Sequence, residues 1–407
     1  MAAISQTHKF TVQCTAILNN NEEINLDNSV DSIAIKKDFL SNVFPLYVLS
    51  LRLPDNDRLK LIKNNFYISL KIFRSTVTDF EIETDVDNVS LPNTDKTIVS
   101  ILLRPFDNAK LYQHRKESDV DEEEASNAMG GQYVTYTINC IPKEQLTINN
   151  SILNYCYSNV NLSEVMINLI SDVYNKDIYF QESINNNRYK SILIPQGSLV
   201  QSLRFLQDNY ILYKHGLNIF FEYNKLYIYD IHDLDREFNN TLSISIEENS
   251  SNTDQTKYSR NFIDEKDNIQ KFLDNNPIFL SRKDVSNYML GDRLIVNSYD
   301  DNFNLITRTY DNSSNEPDDK KTRVLWNIEN QDIFETNFRT VINEISQLTF
   351  NNFDPSLIEP DTLITMSGSS LNYINGRYVL SGMDIYFSSS DKITFANSVV
   401  CHLIKKE

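Results

Sequence analysis

Apolar and polar residues alternate from position 9 to position 18. Phe10, Val12, Cys14, Ala16 and Leu18 share one side, and Thr11, Gln13 and Thr15 the other. A period of two turns one face to a core and the other to water, so this stretch predicts a half-buried strand. Similar runs follow at 31–40, 44–53, 66–73, 97–106 and 133–141. Pro45 belongs near the start of its strand or on an edge, because it has no N–H for a ladder. Pro54-Asp55-Asn56-Asp57 is a break, and 58–63 fits one or two helical turns. Six strands within about 140 residues, with polar turns between them, predict an antiparallel barrel or sandwich.

The period then changes. Leu162, Val165, Met166, Leu169, Ile170 and Val173 recur at helical spacing and predict a helix over 161–174. Strands are expected at 177–180 and 189–193. In Ile194-Pro195-Gln196-Gly197-Ser198 the proline and glycine punctuate the backbone. Ser198 is a good N-cap, because its hydroxyl can accept from a free N–H of the first turn. Leu199, Leu203, Leu206 and Tyr210 give the next helix its apolar face, and Gly216 ends the segment. A strand at 217–221, a turn at Tyr223-Asn224-Lys225 and a return strand at 226–230 complete an α+β unit over about 150–235.

Beyond it, 242–246, 276–280 and 288–299 resume strand patterns, separated by polar loops at 249–257 and 311–321. Trp326, the only tryptophan, reads as a core or interface anchor. Phe338, Val341, Ile342 and Ile345 predict a helix over 334–348. The tail is β again at 362–366, 372–381, 384–387, 393–395 and 398–404. Asn375-Gly376 is a turn signal, because both residues accept positive φ.

Three of these stretches carry a resemblance. One is Ile194-Pro195, Leu199, Leu203, Phe205-Leu206, Tyr210, Tyr213, Gly216, Phe220-Phe221 and Leu226-Tyr227. The second is the opening series Ile33-x-Ile35, Phe44-Pro45-Leu46-Tyr47, Leu49-x-Leu51-x-Leu53 and Phe66-x-Ile68-x-Leu70-x-Ile72. The third is Asn375-Gly376-x-Tyr378 with the short strand after it. Together they resemble the baseplate (tail) hub proteins of tailed bacteriophages, of the contractile-tail type. The match is loosest over 241–335.

The resemblance implies a β-rich α+β chain: two antiparallel tail-tube-like β-barrels with a small α+β domain between them. The expected division is 1–146, 147–240 and 241–407. It also implies a homotrimer closing into a pseudo-sixfold ring between the tail tube, or its initiator protein, and a central spike. Other baseplate proteins would contact it. DNA would pass through the ring without specific binding, and the protein would be made in the host cytoplasm and end in the virion.

Composition narrows the function classes. Of 407 residues, 41% are hydrophobic and 23% charged, which suits a globular chain with sizeable cores. The net charge is -18. A groove that grips nucleic acid needs clustered Lys and Arg, and only short pairs occur: Lys36-Lys37, Lys320-Lys321 and Lys405-Lys406. A negative surface suits a wall that DNA slides past, and it equally serves solubility. Cys14, Cys140, Cys156 and Cys401 form no C-x-x-C pair and read as reduced thiols of a cytosolically made protein. Neither a secretory leader pattern nor an apolar run of the ~18–20 residues needed to span a bilayer is expected.

The search for chemistry names no catalytic, cofactor-binding or metal residue. His8, His114, His215, His232 and His402 have no H-E-x-x-H or H-x-H arrangement. G-x-S-x-G and the phosphate-cradling glycine loop are missing. Asp230 with Asp233 and Asp235 could serve a glycosidase, yet in a chain with 56 acids proximity alone explains them. The acidic run 119–124, with Asp119, Asp121, Glu122, Glu123 and Glu124, lacks the ordered spacing of a calcium loop. It reads as a solvated hairpin loop, or as negative charge near a DNA channel. Two other readings stay open. One is a receptor- or carbohydrate-binding tail protein, given the Tyr- and Asn-rich composition; the other is a cell-wall-degrading tail enzyme.

Overall fold

The computed structural model describes residues 6–40, 42–78, 96–107, 133–213, 216–230, 233, 236–238, 240–246, 260–264, 269–274, 293–299, 305–311, 322–326, 345–351, 353–367, 375–389 and 394–406. The acidic run 119–124, the strand expected at 276–280, the loop at 249–257 and all of the 311–321 loop but Asp311 lie outside them.

The N-terminal third gives β1 (Gln6–Leu18), β2 (Glu23–Asn25), β3 (Val30–Asp38), β4 (Leu46–Pro54), α1 (Asp55–Lys63), β5 (Phe66–Thr78), β6 (Lys96–Asp107) and β7 (Tyr133–Pro142). The alternation in β1 is realised as expected: Phe10, Cys14 and Ala16 are fully buried. β1 pairs with β5 without a shift from Gln6↔Thr78 to Leu18↔Phe66. A one-residue slip would turn the whole apolar set to water, so the register is pinned by burial.

The middle third gives α2 (Lys143–Asn150), β8 (Leu153–Val160), α3 (Leu162–Ser171), β9 (Asp177–Phe180), β10 (Tyr189–Gly197), α4 (Leu199–Tyr210), β11 (Asn218–Phe221) and β12 (Lys225–Tyr229). Both α3 and α4 open with a reciprocal capping box, Asn161 with Glu164 and Ser198 with Gln201. β10 runs on through Pro195 to Gly197, further than the sequence pattern indicated. The missing N–H of Pro195 is tolerated because it falls at a register shift between Ile194 and Gly197.

The last third gives β13 (Asn240–Ile246), β14 (Arg260–Asp264), β15 (Ile269–Asp274), β16 (Arg293–Tyr299), β17 (Leu305–Asp311), β18 (Thr322–Trp326), β19 (Ile345–Asn351), β20 (Thr362–Ser367), β21 (Gly376–Ser389) and β22 (Thr394–Lys406). The helix expected over 334–348 is corrected at its end: 345–348 belong to strand β19. Leu348 and Phe350 are buried while Gln347 and Thr349 are half-buried, a period of two. Pairing with β22, Leu348 opposite Cys401, outweighs the local helical spacing. The runs expected at 372–381 and 384–387 are also not separate strands: from Gly376 onward both belong to β21.

Eight strands close an antiparallel barrel in the order β21, β3, β4, β7, β6, β5, β1, β22, with β21 and β22 paired to each other. Six come from the expected N-terminal barrel and two from the end of the chain. Tyr47, Leu49, Ile68, Leu70, Ile138 and Ile385 belong to its continuous buried core. An eight-stranded barrel has an interior just wide enough for such side chains. This barrel is a packed core, not a pore.

Candidate functional site

The feature that organises the molecule is mechanical. The long hairpin β21–β22 serves two sheets. On β21, Gly382 to Ser388 pair with β3 in the closed barrel, while Gly376 to Val379 pair with β20. On β22, Thr394 and Phe395 pair with β1, while Ser398 to Ile404 pair with β19. The second sheet therefore runs β19, β22, β21, β20, β13, β15, β14. In it β13 lies parallel to both neighbours.

The changeover has a defined joint. The β21–β22 register shifts between Leu380 and Gly382, leaving Ser381 as an extra residue. The Ser381 carbonyl accepts from the Phe39 N–H at 3.0 Å, and its hydroxyl donates to the His402 carbonyl at 3.1 Å. A bulge of this kind bends a strand and increases its twist. Beside it His402 Nε2 lies 3.4 Å from Asp384 Oδ2, and Nδ1 lies 3.1 Å from the Gln347 amide nitrogen.

A second joint seats the α+β unit. In the hairpin β11–β12 nearly every side chain is buried. Phe220, Tyr227 and Tyr229 enter the large core that the barrel shares with the second sheet. Ile219, Phe221, Leu226 and Ile228 enter a separate core with α3, α4 and Ile192 and Ile194 of β10. Alternate faces of one hairpin thus wedge two cores together. The sequence pattern had singled out this Tyr-x-Tyr hairpin without indicating that both of its faces are covered. The Phe221 N–H donates to the Val43 carbonyl at 2.8 Å, and Phe44 stacks on Phe221 with ring centroids 4.7 Å apart.

Polar groups lock this seam. Lys37, read from sequence as half of a cationic pair, is buried and bridges Glu222 at 2.8 Å. Arg236 meets Asp361 at 3.4 Å, with both side chains only 1% exposed. Its guanidinium also donates to the carbonyls of Asp230 and Asp233 and sits over the rings of Tyr229 and Phe238. Elsewhere, Arg74 of β5 pairs with the fully buried Asp354 and ties the barrel to the segment between β19 and β20. The Tyr227 hydroxyl donates to Glu359 at 2.7 Å; burial first, then the Glu359 charge, push its phenol far above the ordinary value.

These contacts account for the residues that sequence suggested for chemistry. Asp230 is buried and accepts Arg236 through its carbonyl, and Asp233 accepts the Gln181 amide at 2.9 Å. Both act in the seam; Asp235 lies outside the described residues, as do His114, His215 and His232. Among the described residues no group of three or more His, Cys, Asp or Glu is placed to hold a metal. Cys14, Cys140 and Cys401 are buried, and Cys156 is exposed on β8. No described helix is long and apolar enough to cross a membrane.

A closed eight-stranded barrel is thus fused through one hairpin to a second sheet, with an α+β unit wedged on its side. The chain belongs to the family described as the Bacteriophage PBS1 gene 109 protein, whose model matches residues 2–406. Its fold is similar to that of the tail protein from Neisseria meningitidis MC58, at 11% identity and a TM-score of 0.50, with 97% of each chain covered. More distant similarity reaches the 43 kDa tail protein of prophage MuSo2 from Shewanella oneidensis (9% identity, TM-score 0.48, 97% of this chain and 96% of that one). It also reaches the E. coli c3393 protein, described as a type VI secretion component similar in structure to T4 tail proteins gp27 and gp5 (9%, 0.42, 93% and 74%). No curated protein matches by sequence. The tail-protein resemblance read from the three sequence stretches is thereby borne out.

Proposed function

We propose that the protein is a non-catalytic structural component of a phage tail tip: the baseplate hub, a homotrimer that joins the tail tube to the central spike. The observation that carries this is the shared hairpin β21–β22. It fixes a closed barrel and a second sheet in one subunit, so three subunits present six β-units around one axis. In this reading residues 1–146 supply most of the first tube-like unit. Residues 241–407 supply the second while lending β21 and β22 to the first, and 147–240 form the α+β domain. Joining neighbouring sheets in a ring covers the open edges of the second sheet. The barrel interior is filled with side chains, so DNA passes through the opening of the ring. An overall charge of -18 keeps that wall from gripping a phosphate backbone. The protein then resides in the virion, with the spike, the tube and other baseplate proteins as partners.

The test is the solution mass over a concentration series by light scattering. A species of three 47.3 kDa chains supports the hub. A monomer at every concentration, combined with glycan binding on an array, moves the assignment to a receptor-binding tail protein. Clearing of host peptidoglycan in a zymogram moves it to a wall-degrading enzyme.

A further inference from the structure

β8 and β10 hydrogen-bond only to each other among the described strands, so this two-stranded ribbon has two unpaired edges. Its inner face, Ile192 and Ile194, is buried against the helices. Its outer face is not covered: Leu193 is 62% exposed and Ile152, just before β8, 68% exposed. Cys156, opposite Leu193 in the ladder, is exposed between them. Exposed edges are normally blunted with charges or proline. β8 reads Leu-Asn-Tyr-Cys-Tyr-Ser-Asn-Val and carries neither.

The charge of this surface is also unlike the rest. Residues 152–160 and 188–197 contain Arg188 and Lys190 and no acid of their own, within a chain of net charge -18; one acid from outside the ribbon, Asp172, meets Tyr155. A second surface on the same unit has the opposite character. β9 pairs only with β12 among the described strands, which leaves its other edge open. Ile178 on that strand and Ile184 beyond it are 40% and 45% exposed. The exposed charges of 177–184 are Asp177 and Glu182, with no base.

We propose that the basic, apolar ribbon β8–β10 of one subunit docks head-to-tail on the acidic, apolar β9 edge of a second copy of this chain. Two ribbons facing each other would set like charges together; ribbon against β9 edge pairs opposite charges and covers open edges on both sides. A heterologous contact closes a ring of three when each copy is turned by a third of a revolution, and otherwise runs on as a filament. The inference rests on the homotrimeric reading above and names the surface by which its α+β units touch.

The test uses the full chain with two charge-reversed variants, Arg188→Glu with Lys190→Glu, and Asp177→Lys with Glu182→Lys. Mass is followed by light scattering at low salt, with circular dichroism reporting the fold. Each variant alone is expected to raise the concentration needed for assembly by about tenfold or more, and the two combined to restore it. A trimer indifferent to both reversals overturns this contact and leaves the hub standing. Loss without restoration in the combination overturns it too, and a wild-type chain that never assembles overturns both. A second measurement needs no variant: maleimide labelling of Cys156 slows as the wild-type trimer forms. Labelling that stays constant through trimer formation, or oxidation that yields a Cys156-linked dimer, overturns the contact.

Discussion

The backbone carbonyl of Lys37 lies 2.8 Å from the point where a Cβ on Gly382 would stand. Real Cβ atoms do not tolerate such a contact with a backbone atom. Glycine is therefore required where β21 leaves one sheet for the other. Gly382→Ala is expected to destabilise the protein by about 1–3 kcal/mol, the usual cost of overpacking. Urea unfolding checks this, and an unchanged midpoint would mean that the joint can open.

Arg236 and Asp361 hold the seam from its most buried point. Removing one partner leaves a charge uncompensated, so Arg236→Met alone should cost about 3–5 kcal/mol. Replacing both with apolar residues of similar volume should cost much less. A double-mutant cycle in denaturant measures the coupling; additive losses would refute it.

Burial raises the phenols of Tyr47, Tyr213, Tyr227 and Tyr229 above the ordinary 10.0. Their ionisation is easier in the unfolded chain. Stability from these groups is thus complete below pH about 10 and declines as pH climbs toward the folded values. Denaturant midpoints should fall above that pH, with tyrosinate absorbance appearing together with unfolding. Tyrosinate developing fully in the folded protein would contradict the burial.

Cys14 is pushed up to about 12 by burial, and Cys140 and Cys401 are raised further by the same cause. A thiol reagent should leave these three unmodified in native protein and reach all of them after denaturation. Fast native labelling of any of the three would show that the barrel breathes.

Much of the local structure was legible in the sequence, because period and capping are local. Phe10 to Leu18, the α3 stripe from Leu162 to Ile170, and Ser198 as a cap all follow from short-range pattern. What was not legible depends on partners far along the chain. Leu348 sits at helical spacing from Val341 and Ile345, yet its pairing opposite Cys401 makes a strand. Lys37 looks like surface charge until Glu222 arrives across the seam. No local signal says that Gly382 belongs beside Asp38. A glycine inside the mostly apolar strand run Tyr378 to Phe387 was the available clue to a close backbone approach. The proposed docking surface was the least legible part, since exposure of Leu193 and Ile178 is a property of the folded unit alone.

The shared hairpin also imposes an order of events during synthesis. The barrel strands up to Pro142 leave the ribosome early, but β21 and β22, which close the barrel, are translated more than two hundred residues later. At typical elongation rates the gap lasts roughly tens of seconds. For that interval β1 and β3 stay open at their edges. A chain cut short before β22 by nonsense or proteolysis lacks the closed barrel. Closure thus acts as a completeness check: only a chain translated through β22 can seal the barrel.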